Sequence, residues 1–243
     1  LIDVLQLEQH VAAWKDCFQD DETVVLIDAL YESQLEKIGE WLNTFTKETQ
    51  FSVGGSGIEA ALGNYWNKKE ILKERTSWPA IEKANPLLVV SGSCSPVTAK
   101  QIEFAKANGF EEVVIDAVAI CNSDSTDNEI SNTINNYLQQ KNVIVHTGTK
   151  QTENLSSEKL GTTLGTIAKH AVEVNNLQRV VIAGGDTSSY AARAMEIDAV
   201  EMIAPVVSGA PLCKAYSKNK AIDGLEVNFK GGQVGGEDYF GLF

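Results

Sequence analysis

The stretch VVIAGGDTSSYAARAM, Val180 to Met195, decides the fold. Val180–Ala183 is a short apolar run of the kind that makes a strand buried on both faces. Gly184-Gly185 then breaks it, and the run from Asp186 to about Met195 reads as a helix. A strand that passes through a glycine turn into a helix is the repeating unit of a parallel α/β sheet. The same grammar appears upstream. Leu87–Ser91 reads as a strand, and Ser95-Pro96 starts a helix with a hydroxyl cap followed by proline in the first helical position. That helix is predicted to run to about Asn108, with Gly109 as its left-handed cap. Glu112–Ala117 and Val143–Thr147 read as strands, Glu129–Gln140 and Ser156–Asn176 as helices, and Cys121–Asn128 as an exposed loop. Val200–Ile203 and Gly224–Lys230 are the last predicted strands.

Ahead of these units the pattern predicts a helix over Leu7–Phe18, a strand over Thr23–Ala29 and a helix from Ser33 to about Phe45. A short strand, Phe51–Val53, and a helix over Ile58–Trp66 follow. Lys68–Asn85 is charged, carries Trp78-Pro79, and reads as a connector. The expected architecture is therefore α/β: a three-layer, largely parallel or mixed sheet with helices on both faces over residues 86–243. A remnant of a second α/β domain over residues 1–85 precedes it.

The composition narrows the function. The 243 residues are 43% hydrophobic and 22% charged, ordinary for a globular protein. No apolar run reaches the ~18 residues of a membrane span, and the N-terminus is no signal peptide, so no membrane partner is expected. The sequence starts at Leu1 without an initiator Met, which suggests a fragment or a processed chain. A formal charge of −13 repels phosphate backbones at long range and disfavours nucleic acid as a partner. A compact anion is still bindable, because backbone amides can build a local positive pocket. Four scattered cysteines and three histidines form no metal-ligand spacing and no disulfide framework, which makes a reducing cytoplasm the expected setting. Self-association into a homo-oligomer is compatible with the sequence and is not decided by it.

Three turns carry the chemical signal. Ser91-Gly92-Ser93-Cys94-Ser95-Pro96 joins a strand to a helix; its small residues let a ligand approach the free N–H groups of the helix start. Read blandly, it is an ordinary capped loop. Gly184-Gly185-Asp186-Thr187-Ser188-Ser189 offers two glycines, an acid and three hydroxyls, a set able to wrap a phosphate. Asp186 is either a helix cap or, beside a triphosphate, a group that needs Mg²⁺ between the two negative charges. Lys230-Gly231-Gly232-Gln233-Val234-Gly235-Gly236 places one basic residue beside four glycines. The alternative there is a floppy turn with a solvated lysine. No GxxxxGK[ST] motif occurs. Gly55-Ser56-Gly57-Ile58-Glu59-Ala60 fits GxGxxA formally, which leaves a nicotinamide-dependent oxidoreductase as a weakly supported option.

Taken together and in order, VVSGSCSPVTAKQI (Val89–Ile102), VVIAGGDTSSYAARAM (Val180–Met195), VSGAPLCKA (Val207–Ala215) and FKGGQVGGEDYF (Phe229–Phe240) resemble the C-terminal nucleotide-binding domain of the four-carbon acid sugar kinases. VVLIDALYESQLEKI (Val24–Ile38) and SVGGSGIEAAL (Ser52–Leu62) are similar to the closing segments of that family's substrate domain. Its opening D-D-x-T-G motif is not present. Asp20-Asp21-Glu22-Thr23-Val24 precedes its strand and has Val24 in place of glycine, so we read it as a coincidence. Ser208 stands where the family usually has proline, and Gln233 lies within the last glycine loop.

The resemblance implies transfer of the ATP γ-phosphoryl group to a hydroxyl of a four-carbon sugar acid, of threonate, erythronate or oxo-tetronate type, with Mg²⁺. By the same resemblance Ser91 and Ser93 contact the nucleotide, while Gly184, Gly185, Asp186 and Thr187 face the phosphates or their metal. Gly209 walls the nucleotide pocket, Gly231 and Gly232 admit the backbone, and Lys230 supplies charge. It gives no catalytic residue in this chain and no metal site built by protein ligands. The competing reading is a catalytically silent module that binds a nucleotide or a sugar phosphate.

Overall fold

The computed structural model describes Val11 and residues 25–44, 51–122, 128–148 and 156–243, without the side chains of residues 121 and 122. Its described parts divide into two compact units, Leu1–Ser77 and Trp78–Phe243. The predicted helix at Leu7–Phe18, apart from Val11, and the Asp20–Val24 segment lie outside the described residues.

Among the described residues of the first unit two α-helices form, α1 (Glu32–Asn43) and α2 (Gly57–Lys68). They touch closely: a Cβ on Gly39 would come within 2.0 Å of the Ala61 carbonyl oxygen, so glycine is required there. Ile38 and Ala61 are buried between them, with Leu35, Trp41 and Leu42 alongside. The predicted strands do not form in the described residues. Ile27 makes an isolated bridge and Phe51–Val53 is irregular, with Phe51 and Val53 exposed. A β-branched sequence becomes a strand only when a neighbouring strand completes its hydrogen bonds.

The second unit is a seven-stranded mixed sheet. Its strands are β1 (Leu88–Ser91), β2 (Glu111–Val114), β3 (Val143–His146), β4 (Arg179–Ala183), β5 (Ala199–Val207), β6 (Ala210–Tyr216) and β7 (Glu226–Lys230), in the order β2-β3-β1-β4-β7-β6-β5. The first five in that order are mutually parallel, and β6 runs antiparallel to both its neighbours. β1, β3 and β4 are wholly buried, as their unbroken apolar runs require.

Alternate residues of these strands serve two cores. Leu88, Val90, Val143, Val145, Val180 and Ile182 pack with residues of α4 (Ala117–Asn122), α5 (Asn128–Leu138), α6 (Ser157–Asn175) and α7 (Gly185–Ala194). Val89, Ile144, Val181 and Ala183 pack with α3 (Pro96–Ala107) and the C-terminal 3-10 helix Tyr239–Leu242. That gives three layers with helices on both faces.

Two local readings are corrected. The expected strand through Ala117 stops at Val114, because the Asp116 carboxylate accepts the N–H groups of Val118 and Ala119 at 2.8 and 3.1 Å and so caps α4. Strand β6 was not anticipated. Pro205 and Pro211 argue against pairing, yet they sit where the β5–β6 register shifts between Ala204 and Val207, and Ser208-Gly209 closes the hairpin with Gly209 at φ +77°.

Candidate functional site: a cavity at the switch point of the sheet

β1 and β4 are neighbours, but the chain leaves them in opposite directions, from β1 toward β2 and from β4 toward β5. In open α/β sheets a crevice opens at such a point, outside the carboxyl ends of the strands. Here the β1–α3 and β4–α7 turns meet across it. A cavity of about 340 Å³ is lined by Gly92, Ser93, Gly184, Gly185, Asp186 and Thr187, with Ser157 and Leu160 of α6 and Gly232 of the C-terminal loop.

The contacts explain the small residues. Gly92 donates its N–H to the Ala183 carbonyl at 3.2 Å, and Gly184 donates to that of Lys230 at 2.9 Å, so the turns continue the sheet ladder. A Cβ on Gly92 would lie 2.4 Å from Thr187 Oγ1. Gly184 adopts φ +122°, a conformation open to glycine, and its Cβ would meet the same hydroxyl at 2.8 Å. Gly185 differs: among the described residues, nothing beyond its chain neighbours and its own helix backbone lies within 4 Å of its would-be Cβ. Gly232 abuts the opposite wall, where a Cβ would come within 2.8 Å of Ser93 Oγ.

Two helices begin at this cavity, α6 and α7, and the Gly92–Ser93 turn that lines it leads into α3. The close approach of α6 and α7 depends on Gly161 and Gly165 of α6, which would, as alanines, come within 2.7 Å of Tyr190 Cβ and 2.6 Å of Ala191 Cα on α7. Helix α7 has no side-chain cap. Ser188 N–H bonds the Gly184 carbonyl at 2.8 Å, while the preceding N–H groups of the first turn have no helical acceptor. In the β1–α3 turn the hydroxyls of Ser91, Ser93 and Ser95 accept N–H bonds from Ser93, Ser95 and Val97 at 3.3, 3.3 and 3.2 Å, so each keeps its own O–H to donate. Amides, hydroxyls and helix dipoles thus converge, with no lysine or arginine among the described lining residues. Such an arrangement suits an anion of phosphate type.

The structure brings Ser93, Gly184, Gly185, Asp186, Thr187 and Gly232 to this one cavity. Ser91 is buried just behind it, and Gly231 precedes Gly232. Gly209 caps the β5–β6 hairpin; because Leu212 pairs with Asn228, that tip lies at the same carboxyl edge, beyond β7 and β6. Lys230 does not line the cavity: its side chain is buried against Thr98, Tyr239 and Phe240. Reading the sequence missed Ser157 and Leu160, although the Ser156 cap of α6, which accepts from Lys159 N–H at 3.2 Å, was legible. Among the described residues Asp186 is the one carboxylate of the lining, and no cluster of three metal-binding side chains exists. A single acid beside phosphates fits Mg²⁺, which takes few protein ligands and keeps its waters. A larger cleft of about 690 Å³ lies at the other edge, where Asn85, Phe110 and Asn142 precede β1, β2 and β3; it has no such convergence of helix starts.

Residues 88–240 match the family described as nucleotide-binding C-terminal domain. The chain belongs to the four-carbon acid sugar kinase family. A 3-oxo-isoapionate kinase of Paraburkholderia graminis is 33% identical across 100% of this chain and 56% of its own length. A 3-oxo-tetronate kinase of Salmonella typhimurium is 26% identical over 96% of this chain and 57% of that protein. The chain therefore spans a little over half the length of these curated relatives. Among solved structures, a Haemophilus influenzae protein superposes with a TM-score of 0.63 at 19% identity, covering 97% of this chain and 57% of that one. A Bordetella bronchiseptica domain of unknown function, described as a domain-swapped dimer with bound citrate, gives 0.57 at 18% identity over 97% and 56%. At such identities these two show the shared α/β fold. The oxidoreductase option loses its context as well, since no strand precedes Gly55 in the described residues.

Proposed function

We propose that this chain carries the nucleotide-binding part of an ATP-dependent kinase for a four-carbon acid sugar, of threonate, erythronate or oxo-tetronate type. One observation carries the reading: glycine turns and the starts of α6 and α7 converge on a single cavity at the switch point of the sheet. On this reading the phosphates of ATP lie against the amides of Gly184 to Thr187 and the Ser91–Ser93 turn. Asp186 would hold Mg²⁺, which would neutralise phosphate charge, and Gly232, with Gly231 before it, closes the opposite wall. Residues 86–243 are then the nucleotide domain and residues 1–85 the remainder of the acid-sugar domain, in a cytoplasmic enzyme for which a homo-oligomer is possible. Catalysis comes from positioning and charge neutralisation. In-line placement of the acceptor is worth ~7–11 kcal/mol of the barrier, and we assign that placement, with the catalytic base, to segments of the family that this chain does not span.

Ligand-induced stabilisation tests the reading. Mg-ADP or Mg-ATP at about a hundred times its dissociation constant should stabilise the chain by ~2.7 kcal/mol, measured as a melting shift, and NAD(H) should not. Stabilisation by NAD(H) alone would sink the proposal. In a paired assay with a longer chain that includes the preceding family segment, only the longer protein should phosphorylate four-carbon sugar acids. Nucleotide binding without turnover in both would favour the silent module.

A further inference from the structure

Behind the glycine turns lies a layer of buried polar side chains that the cavity does not touch. Lys230 ends β7 with its backbone opposite Ala183, while its side chain, 1% exposed, turns toward α3. Its Nζ donates to Thr98 Oγ1 at 3.0 Å and lies 5.5 and 5.8 Å from the ring centroids of Tyr239 and Phe240. The Thr98 hydroxyl in turn donates to the Gly232 carbonyl at 2.9 Å. One turn further along the same helix face, Gln101 donates Nε2 to the carbonyls of Val234 and Gly236, both at 2.9 Å. Its Oε1 has no hydrogen-bond partner among the described residues. Thr98 and Gln101 are fully buried. These side chains fasten the loop 231–236 to α3, the helix that starts at the Ser91–Ser95 turn. One rigid element thus carries one wall of the cavity and clasps the other.

We propose that Lys230 is a positioning residue for the nucleotide site, acting through Thr98 to fix Gly232 at the cavity wall, and that it is not itself a phosphate ligand. The inference rests on the nucleotide reading of that cavity. Among the described residues nothing acidic bonds to the Lys230 ammonium, whose surroundings are the Thr98 hydroxyl of α3 and two aromatic rings of the 3-10 helix. Burying a cation without a carboxylate opposes folding, so a methionine of similar length would fill the space more favourably. What the lysine contributes is the geometry of the loop.

Calorimetric titration with ADP and with adenosine, on wild type, Lys230→Met, Thr98→Val and the double variant, tests this. Each single variant should weaken both ligands by similar factors, roughly five- to tenfold. The double variant should lose no more than either single one, since both break the same relay. Thr98→Ser should restore binding, and Lys230→Met should melt above wild type at neutral pH. Backbone hydrogen exchange over residues 231–236 should quicken in both single variants. A folded Lys230→Met protein with wild-type affinity overturns the proposal. So does a loss confined to ADP in Lys230→Met with Thr98→Val unaffected, which would make the lysine a phosphate ligand after all. Unchanged loop exchange in both variants overturns the clasp alone. Wild-type protein that binds neither ligand overturns the nucleotide reading, and the role of Lys230 falls with it.

Discussion

The glycine turns have a front and a back made of different materials. The front, facing the cavity, is backbone amide, glycine and hydroxyl, contributed by Gly92, Ser93, Gly184, Gly185, Thr187 and Gly232. The back is Thr98, Gln101, Lys230 and Tyr239, four polar side chains almost wholly removed from solvent. The difference shows how a chain with a formal charge of −13 can present an anion site. Fixed amides at helix starts supply the donors, and they need no long cationic side chain to be desolvated and ordered. The polar side chains work behind, where they set the backbone that does the presenting. A substitution at the front should therefore be read chiefly by ligand, and one at the back by stability and pH as well as by ligand.

Gly184 breaks this division most severely, because it belongs to both sides. Its φ of +122° is closed to branched residues, and its Cβ would press on Thr187 Oγ1 at 2.8 Å and Thr187 Cβ at 3.2 Å. Gly184→Val should destabilise the folded chain by about 4 kcal/mol, a melting decrease of roughly 10 °C. Differential scanning calorimetry without ligand measures it. A melting temperature within a degree or two of wild type, about 0.5 kcal/mol, would show that the turn is less constrained than its geometry indicates.

The back of the loops sharpens the comparison through pH. Burial pushes the Lys230 ammonium down to about 8 and the Tyr239 phenol up to about 12, the latter partly offset by the bond its hydroxyl makes to Asn228. In the unfolded chain the two groups titrate near ~10.4 and ~10. From about pH 8 to ~10.4 the unfolded chain holds a proton that folded Lys230 has shed, so stability rises with pH, by on the order of 3 kcal/mol. Tyr239 acts the other way. From about pH 10 to ~12 the unfolded chain loses its phenolic proton first, and stability falls. Urea unfolding across this range should give a maximum near pH 10 in wild type. The rising limb should be missing in Lys230→Met and the falling limb kept. A Lys230→Met curve parallel to wild type would mean that the ammonium is not buried in solution.

How far the sequence foretold this division depends on which interactions are local. The parallel strands and their glycine turns were legible because the signals lie within a few residues: an unbroken apolar run, then glycine, then a capped helix, as at Val180–Met195 and Leu87–Asn108. The front of the cavity came with them, since Ser93, Gly184 to Thr187 and Gly232 all lie in glycine-rich turns that the sequence marks. The features that were not legible depend on distant partners. Lys230 beside four glycines looks like a solvated cation or a phosphate ligand until the α3 residue Thr98, 132 positions away, is seen to receive it. The β5–β6 hairpin hides behind Pro205 and Pro211, which a register shift accommodates. Asp116 could as well have followed a strand as capped a helix. In the first unit, Phe51–Val53 reads as strand by propensity yet has no neighbouring strand among the described residues to pair with.

The smallest effect on stability should come from Gly185, one residue beyond Gly184, and it is the cleanest probe of the front. Gly185 opens α7, its φ is not in the left-handed region, and among the described residues no atom outside its chain neighbours and its own helix backbone lies within 4 Å of a Cβ built there. Gly185→Val should therefore unfold within about 0.5 kcal/mol of wild type. The added branches nonetheless enter the cavity at the uncapped start of α7, where the proposed phosphate lies. Nucleotide affinity should fall by a hundredfold or more, equivalent to about 2.7 kcal/mol. Titration with ADP, alongside unfolding of the ligand-free variant, reads both quantities on one protein. Coincident unfolding curves with lost affinity would place the phosphate against the first turn of α7. Coincident curves with undiminished affinity would remove the nucleotide from this cavity and return GGDTSS to the status of an ordinary strand-to-helix turn.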